Sequence, residues 1–173
     1  MRKTFLNKCD SRGFTLIEII VAITIAGLLV LLGTFGLQNA VDGYALARDN
    51  AQLSQKAQAA LDRMAVEFSN IIFNGAAGRY SITAGNAASL SYTANFGGAD
   101  ENRTIALAGS QVRLDNIPLT DLVNGLQFRY WNADGVTEVA ATSQTMRIIS
   151  ISLTMNGPAG TTRDYNGRVA LQR

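Results

Sequence analysis

The chain has 173 residues, 47% of them hydrophobic, which is enough for one compact domain and one additional apolar segment. Its 15 basic and 13 acidic residues leave a net charge of only +2. There is no histidine and a single cysteine, Cys9, so zinc sites of Cys and His ligands, Cys–His or Ser–His catalysis and an internal disulfide are excluded.

Residues 1–13 form a short basic head. Its charged residues are one acid, Asp10, and four bases, Arg2, Lys3, Lys8 and Arg12. Residues 14–173 hold the remaining 11 basic and 12 acidic residues and are therefore nearly neutral. The overall charge thus gives no argument for nucleic acid as a partner.

A long apolar run follows the head. No charged residue occurs between Glu18 and Gln38, and 12 of the 19 positions from 19 to 37 carry large apolar side chains. At about −0.5 kcal/mol each on an insertion scale, they favour insertion by about 6 kcal/mol, against a cost of about 3 kcal/mol for a charge at the bilayer centre. The run has the length of one bilayer crossing. The basic head predicts a cytoplasmic N-terminus, with the chain beyond Leu37 across the membrane.

Two ordinary explanations of this segment fit less well. A secretory signal peptide has an apolar core of about 7–15 residues, closely followed by a small-x-small cleavage site. Here Ala45-Leu46-Ala47 lies eight residues beyond the run. A plain single-span anchor explains the length and the basic head, but it gives no reason for an acid five residues after a glycine.

The stretch Gly13-Phe14-Thr15-Leu16-Ile17-Glu18 resembles the processing site of type IV pilins and of type II secretion pseudopilins. The resemblance implies that a prepilin peptidase cleaves between Gly13 and Phe14, that the new N-terminal Phe14 is N-methylated, and that Glu18 takes part in filament assembly. It also implies other major and minor pilins, an inner-membrane assembly platform and membrane lipid as partners.

The chemistry of Glu18 is consistent with this resemblance. An ionisable residue in a membrane segment is a functional hypothesis by default, and cleavage after Gly13 would expose a positive amine on Phe14. Because unpaired charges are costly in a low-dielectric helix bundle, pairing Glu18 with that amine, in the same subunit or a neighbour, would favour one axial register. The plainer alternative is that Glu18 reaches back to interfacial water.

Beyond Leu37 the helical pattern continues. Apolar residues recur at spacings of three, four or seven, which predicts one helix over residues 15–73 with a core-facing stripe. The stripe comprises Leu46, Leu53, Ala57, Leu61, Met64, Phe68 and Ile71. Asn74-Gly75 predicts the helix end. The predicted organisation is a cytoplasmic leader at 1–13, a membrane and filament-core helix at 14–37, the soluble half of the helix at 38–73 and a sheet region at 74–173.

The remaining residues alternate apolar and polar side chains between glycine- and asparagine-rich turns. Predicted strands cover residues 80–83, 90–93, 104–107, 111–114, 123–131, 146–155 and 165–171, with one helical turn at 119–122. Turns are predicted at Gly85-Asn86, Gly97-Gly98, Gly109-Ser110 and residues 132–135. Short connections favour an antiparallel sheet. The predicted fold class is therefore α+β and pilin-like, with one sheet packed on the second half of the helix.

The C-terminal half also resembles J-type minor pseudopilins and related minor pilins. The stretch Val123-Asn124-Gly125-Leu126-Gln127-Phe128-Arg129-Tyr130 fits their hydrophobic-Gly-Leu-x-Phe-x-Tyr strand, followed by Asp134-Gly135 and the strand at 146–153. Residues 60–64, Ala-Leu-Asp-Arg-Met, fit late in the helix. This resemblance implies a minor subunit at the tip of a filament.

Few residues of the sheet region indicate chemistry of their own. Asp100 and Glu101, in a predicted polar loop, are weak calcium candidates because calcium needs six to eight oxygens and only Asp115 or Asp134 could add to them. No catalytic residue or cofactor is predicted. Five arginines would bind DNA if they clustered: Arg79, Arg103, Arg113, Arg147 and Arg163. Trp131 is interpreted as sheet packing or a subunit contact.

The sequence therefore predicts a minor pilin or pseudopilin that supports secretion or pilus assembly and is not an enzyme. It is expected in the inner membrane, with the C-terminal domain in the periplasm or outside the cell. The alternative is a competence or adhesive minor pilin that binds DNA or a surface.

Overall fold

The computed structural model describes residues 14–172, so the predicted leader and Gly13 lie outside the described residues. The chain divides into two compact units between Ala45 and Leu46. One helix, α1 (Leu16–Ser69), contributes to both units. Residues 14–45 are all exposed, so nothing within residues 14–172 buries the side chains of the apolar part of α1.

In the second unit, one stripe of α1 faces the core. Leu53, Ala57, Leu61, Met64 and Phe68 are buried, as the spacing predicts. The prediction was wrong for one stripe member: Leu46, at the start of this unit, is 48% exposed. The stripe also holds two residues that its pattern did not include, Ala60 and the fully buried Glu67.

Helix α1 ends at Ser69, four residues before the predicted end at 73. The Asn70 N–H donates to the Glu67 carbonyl and the Ile71 N–H to the Phe68 carbonyl, each at 3.2 Å, so the last turn tightens. The Asn70 side-chain amide donates to the Val66 carbonyl at 2.7 Å. These bonds satisfy the terminal carbonyls before Asn74-Gly75 is reached, and the chain continues as a strand.

Up to residue 172, where the described part of the chain ends, ten strands follow the helix, together with a short 3₁₀ helix at Pro158–Gly160. They are β1 (Phe73–Asn74), β2 (Arg79–Tyr80), β3 (Ile82–Gly85), β4 (Ser89–Phe96), β5 (Ala99–Ala108), β6 (Gln111–Leu114), β7 (Ile117–Thr120), β8 (Val123–Asn132), β9 (Met146–Asn156) and β10 (Thr162–Ala170). All neighbouring strands pair antiparallel. The α+β class with a long N-terminal helix is therefore confirmed.

The strands form three sheets rather than the single predicted sheet. Strands β1 and β2 form a two-stranded sheet, β3 to β7 a five-stranded sheet in chain order, and the third sheet has the order β10-β9-β8. The chain leaves the five-stranded sheet at Asp121-Leu122, where Leu122 has a φ of 60°. Lys56 of α1 donates to the Asp121 carboxylate at 2.7 Å and lowers the pKa of that carboxyl. Because the chain turns at Asp121-Leu122, β8 belongs to a different sheet from β7 although the connection between them is short.

Turn chemistry shapes the five-stranded sheet. Gly97 and Gly98 connect β4 to β5 with φ values of 71° and 104°, a conformation that suits a two-residue hairpin with glycine at both positions. Asp115, with a φ of 54°, begins the turn between β6 and β7. The predicted helical turn at 119–122 was wrong, because Ile117–Thr120 pairs with β6 across a register shift.

The three-stranded sheet has one face toward the core and one face away from it. In β8, Leu126, Phe128 and Tyr130 are buried while the alternate residues are not, as predicted. In β9, Ile149 and the alternate residues after it are buried, but so is Met146. A register shift at the β8–β9 pairing between Trp131 and Asn132 accounts for this, because it offsets Met146 from the strict alternation.

Phe68 of α1 connects both larger sheets. Its ring meets Tyr92 of β4 edge-on at a centroid distance of 5.7 Å and Phe128 of β8 at 5.8 Å. These residues belong to one continuous core of buried side chains in the second unit. The helix stripe therefore packs against two sheets at once.

Candidate functional site

Glu18 lies in the first turn of α1, where Thr15 caps the helix. The Glu18 N–H donates to the Thr15 hydroxyl oxygen at 3.3 Å and to the Thr15 carbonyl at 3.1 Å. A threonine followed three residues later by glutamate is the capping-box pattern, so Thr15 and Glu18 carry a signal for a helix start at Leu16. A carboxylate is also favourable at this end of the helix dipole.

Phe14 and Glu18 lie on one face of the first unit, beside Ile19, Ala22 and Ile23. Phe14 is 78% exposed. Among residues 14–172, no cation forms an ion pair with Glu18. Residues 14–37 therefore present one carboxylate on an otherwise apolar surface that no other residue of the described range covers.

The apolar part of α1 has the length and composition to cross a membrane once. Two of its few polar side chains satisfy themselves within the helix. The Thr24 hydroxyl donates to the Val21 carbonyl and the Thr34 hydroxyl to the Val30 carbonyl, each at 2.8 Å. These bonds lower the cost of placing threonine in lipid, so Glu18 is the only side chain of residues 14–41 that would carry a charge there.

The weak calcium candidates lie on a strand rather than in the predicted loop. Asp100 and Glu101 are consecutive residues of β5, so their side chains point to opposite faces of the sheet. Asp100 accepts a hydrogen bond from the Asn95 amide at 2.7 Å, and Glu101 pairs with Arg103. Within residues 14–172, no group of three or more His, Cys, Asp or Glu side chains is arranged to hold a metal ion.

The five arginines considered for DNA binding lie on five different strands in three sheets: β2, β5, β6, β9 and β10. Arg103 is engaged by Glu101, and its guanidinium lies 5.0 Å from the Phe96 ring centroid. Arg147 donates to the Met146 carbonyl at 2.7 Å and lies over Tyr80. Arg113 donates to the Gln111 side-chain oxygen at 3.0 Å, so three of the five are used in local contacts.

Trp131 lies on the face of β8 opposite the core. The guanidinium of Arg168 on β10 lies over its ring, 5.2 Å from the centroid. Arg168 and Arg129, which both lie opposite Ser150 of β9, are not among the five arginines that the sequence suggested for DNA binding. Only the strand register, which brings β8 and β10 to either side of β9, places these residues together.

Comparison with known protein families gives one match. Residues 8–34 match the prokaryotic N-terminal methylation motif, a span that includes Gly13, Phe14 and Glu18. No curated protein matches the chain. The motif indicates a structural subunit. With its motif at 8–34, its long apolar helix and its antiparallel sheets, the chain has the signature and the α+β architecture of the type IV pilin and pseudopilin family.

Proposed function

We propose that this chain is a minor subunit of a type II secretion pseudopilus or a type IV pilus and acts in the complex that initiates the filament tip. In this role it supports protein secretion or pilus assembly. Its partners are a prepilin peptidase, the other major and minor pilins or pseudopilins, and the inner-membrane assembly platform.

One observation carries the proposal: the methylation motif at residues 8–34 includes the start of an exposed apolar helix that has a single charge in its first turn. An apolar surface of this size needs lipid or other helices to cover it. Before assembly the bilayer covers it; in a filament, neighbouring helices do. Glu18 then pairs with the methylated amine of a Phe14 and sets the axial register.

The proposed topology follows from the basic head. Residues 1–13 remain cytoplasmic until cleavage, residues 14–37 cross the inner membrane, and the chain from residue 38 onward lies in the periplasm or outside the cell. The exported part comprises the second half of α1, up to Ser69, and the strands β1 to β10.

Processing is tested by intact mass after co-expression of the full chain with a prepilin peptidase. The mature protein should lack residues 1–13 and carry one added methyl group on Phe14. A Gly13→Val variant should remain uncut, because a branched side chain blocks the peptidase at that position. An uncut native chain, or a chain that begins beyond Ala47, would contradict the assignment.

The role of Glu18 is tested by Glu18→Ala. Membrane insertion and cleavage should persist, because the apolar run is unchanged, while the amount of subunit recovered in sheared filaments should fall strongly. Asp42→Ala is the matched control, since Asp42 is an exposed acid of the same helix just beyond the apolar run. Normal incorporation of Glu18→Ala would remove the charge-pairing role.

The minor, tip-initiating position rests on the resemblance of residues 123–130, 134–135 and 146–153 to J-type subunits. Photo-crosslinking in cells that assemble filaments should recover this chain mainly with other minor subunits. Crosslinks to the major subunit along whole filaments would place it in the shaft instead.

DNA or surface binding is the second candidate function. It is supported only by the arginines of the sheet region, of which Arg79 and Arg163 are exposed. Binding through phosphates would weaken steeply with added salt. Salt-dependent retention of DNA by the detergent-solubilised full chain, lost in an Arg79→Gln, Arg163→Gln double variant, would favour it over the assembly role alone.

A further inference from the structure

The face of the three-stranded sheet opposite the core contains a groove of about 340 Å³. Its polar lining comes from all three strands: Gln127, Arg129 and Trp131 of β8, Ser150 and Ser152 of β9, and Asn166 and Arg168 of β10. The filament-assembly proposal uses none of these residues.

The strand register arranges the lining in rows. Arg129 lies opposite Ser150, and Ser150 lies opposite Arg168, so two guanidinium groups flank one hydroxyl. In the adjacent row, Ser152 lies between Gln127 and Asn166. Directly opposed residues on one sheet face are about 5 Å apart, so each row can act on a single bound group.

Two buried polar atoms of this face have no hydrogen-bond partner among residues 14–172: the Ser150 hydroxyl oxygen and the Trp131 indole nitrogen. The indole N–H can only donate, and the hydroxyl can donate. A buried donor without an acceptor lowers the stability of the fold, and a ligand that supplies the acceptor removes this cost. Arg168 is held over the Trp131 ring at 5.2 Å, which limits the directions its guanidinium can take.

The charges of the groove are positive and locally uncompensated. Neither Arg129 nor Arg168 forms an ion pair within the described part of the chain. An acid lies near each end of the groove. Asp164 accepts a hydrogen bond from the Thr154 hydroxyl at 2.6 Å. The backbone of Glu138 pairs with that of Trp131 in an isolated antiparallel β-bridge. The positive region is therefore short, which suits one or two anionic groups better than a continuous polyanion.

We propose that this groove binds an acidic segment of a partner protein through a carboxylate. Arg129 and Arg168 bind the carboxylate oxygens, which a planar guanidinium can do with two parallel hydrogen bonds. The Ser150 hydroxyl and the Trp131 indole donate to the same group or its neighbour, and the amides of Gln127 and Asn166 bind the peptide backbone. The inference goes beyond the filament assignment and does not depend on it.

Trp131 provides a direct measurement, because it is the only tryptophan in the sequence. The full chain in detergent micelles, labelled with nitrogen-15, gives a single indole N–H signal. Titration with a hexaglutamate peptide to millimolar concentration should move that signal in a saturable way. Arg129→Gln and Arg168→Gln should each weaken the apparent affinity about tenfold or more, because each removes a charge-assisted contact.

Arg163→Gln is the matched control. Arg163 is on the same strand as Arg168, and the substitution removes the same charge. Arg163 lies opposite the buried Met155, so its side chain is on the other face of the sheet. Its affinity for the peptide should equal that of the native chain. Ser150→Ala provides a second variant with little risk to folding and should bind several-fold more weakly.

Three results would overturn the proposal. The first is no shift of the indole signal at millimolar peptide. The second is equal weakening by Arg163→Gln, which would indicate a general charge effect. The third is tighter binding of a single-stranded oligonucleotide than of hexaglutamate by the native chain, which would assign the groove to nucleic acid instead.

Discussion

Tyr92 of β4 donates a hydrogen bond to Oε2 of Glu67 across 3.2 Å, and both side chains are buried. The other carboxylate oxygen, Oε1, lies 2.6 Å from the Arg63 guanidinium, an ion pair that is not aligned as a hydrogen bond. Burial and the Glu67 carboxylate raise the pKa of Tyr92 well above its usual range. A charged side chain in the helix stripe is thus compensated by one partner from the sheet and one from the helix.

Removing Glu67 should destabilise the second unit. In Glu67→Ala, the Tyr92 hydroxyl loses its acceptor inside the core and a cavity forms beside Phe68. Because Arg63 is about half exposed and can turn to water, we expect a loss of about 2–4 kcal/mol in the free energy of unfolding, at or below the range for breaking a fully buried pair.

Denaturant unfolding of the full chain in detergent, followed by Trp131 fluorescence, measures this loss. Asp62→Ala is the control, because Asp62 is an exposed acid of the same helix that accepts a hydrogen bond from Gln58. It should cost about 0.5 kcal/mol or less. Equal costs for the two variants would show that the buried contact contributes nothing specific.

Two buried tyrosines should respond in opposite ways to removal of the hydroxyl. Tyr92→Phe leaves the Glu67 carboxylate without its donor and should lower the free energy of unfolding by about 1–3 kcal/mol. The Tyr130 hydroxyl is buried with no hydrogen-bond partner within residues 14–172. Tyr130→Phe should therefore be neutral or stabilising by up to about 1 kcal/mol. The same denaturant assay compares them, and a large loss in Tyr130→Phe would contradict this account.

Local patterning was enough to predict much of this fold. The period-two alternation of Leu126, Phe128 and Tyr130 assigned the core face of β8 correctly, because side chains on a strand alternate faces whatever the strand pairs with. Gly97-Gly98 marked a hairpin turn, because glycine adopts positive φ at no steric cost. These features depend on residues close together in sequence.

The features that the sequence did not reveal depend on distant partners. Glu67 is not part of the apolar pattern that predicts the core-facing stripe, and a glutamate is rarely buried. Its burial depends on Tyr92, 25 residues away, together with Arg63 of the same helix. Met146 enters the core through a register shift against β8 that alternation within β9 cannot show. The division into separate sheets likewise appears only in the strand pairing, since β7 pairs with β6 and β8 pairs with β9.

Alkaline pH should destabilise the second unit through Tyr92 and Tyr130, because burial raises the pKa of both hydroxyls. Burial raises the pKa of Tyr130 to about 12, from an ordinary value of 10.0. Above pH 10 the unfolded chain releases this proton while the folded chain keeps it, so the stabilisation present below pH 10 is lost as the pH rises toward about 12. The denaturant midpoint should fall over this window. Tyr130→Phe should make that fall shallower, and an unchanged slope would show that Tyr130 does not titrate with unfolding.

Gly85 of β3 should tolerate no side chain. A Cβ atom at this position would lie 2.7 Å from the Ala141 Cβ and 2.9 Å from the Tyr130 hydroxyl oxygen, both closer than real contacts allow. Gly85→Ala should therefore lower the free energy of unfolding by about 1–3 kcal/mol through overpacking. Gly75→Ala is the control, because a Cβ there meets nothing within 4 Å.

The double variant Gly85→Ala, Tyr130→Phe separates the two clashes at Gly85. Removing the Tyr130 hydroxyl relieves one of them and leaves the Ala141 contact, so the double variant should recover part of the loss caused by Gly85→Ala. Because the two residues are in contact, their effects should be non-additive by about 0.5 kcal/mol or more in a double-mutant cycle. Strictly additive effects would mean that the whole strand shifts to accommodate the methyl group. In that case the clash with the Tyr130 hydroxyl would not be what makes Gly85→Ala destabilising.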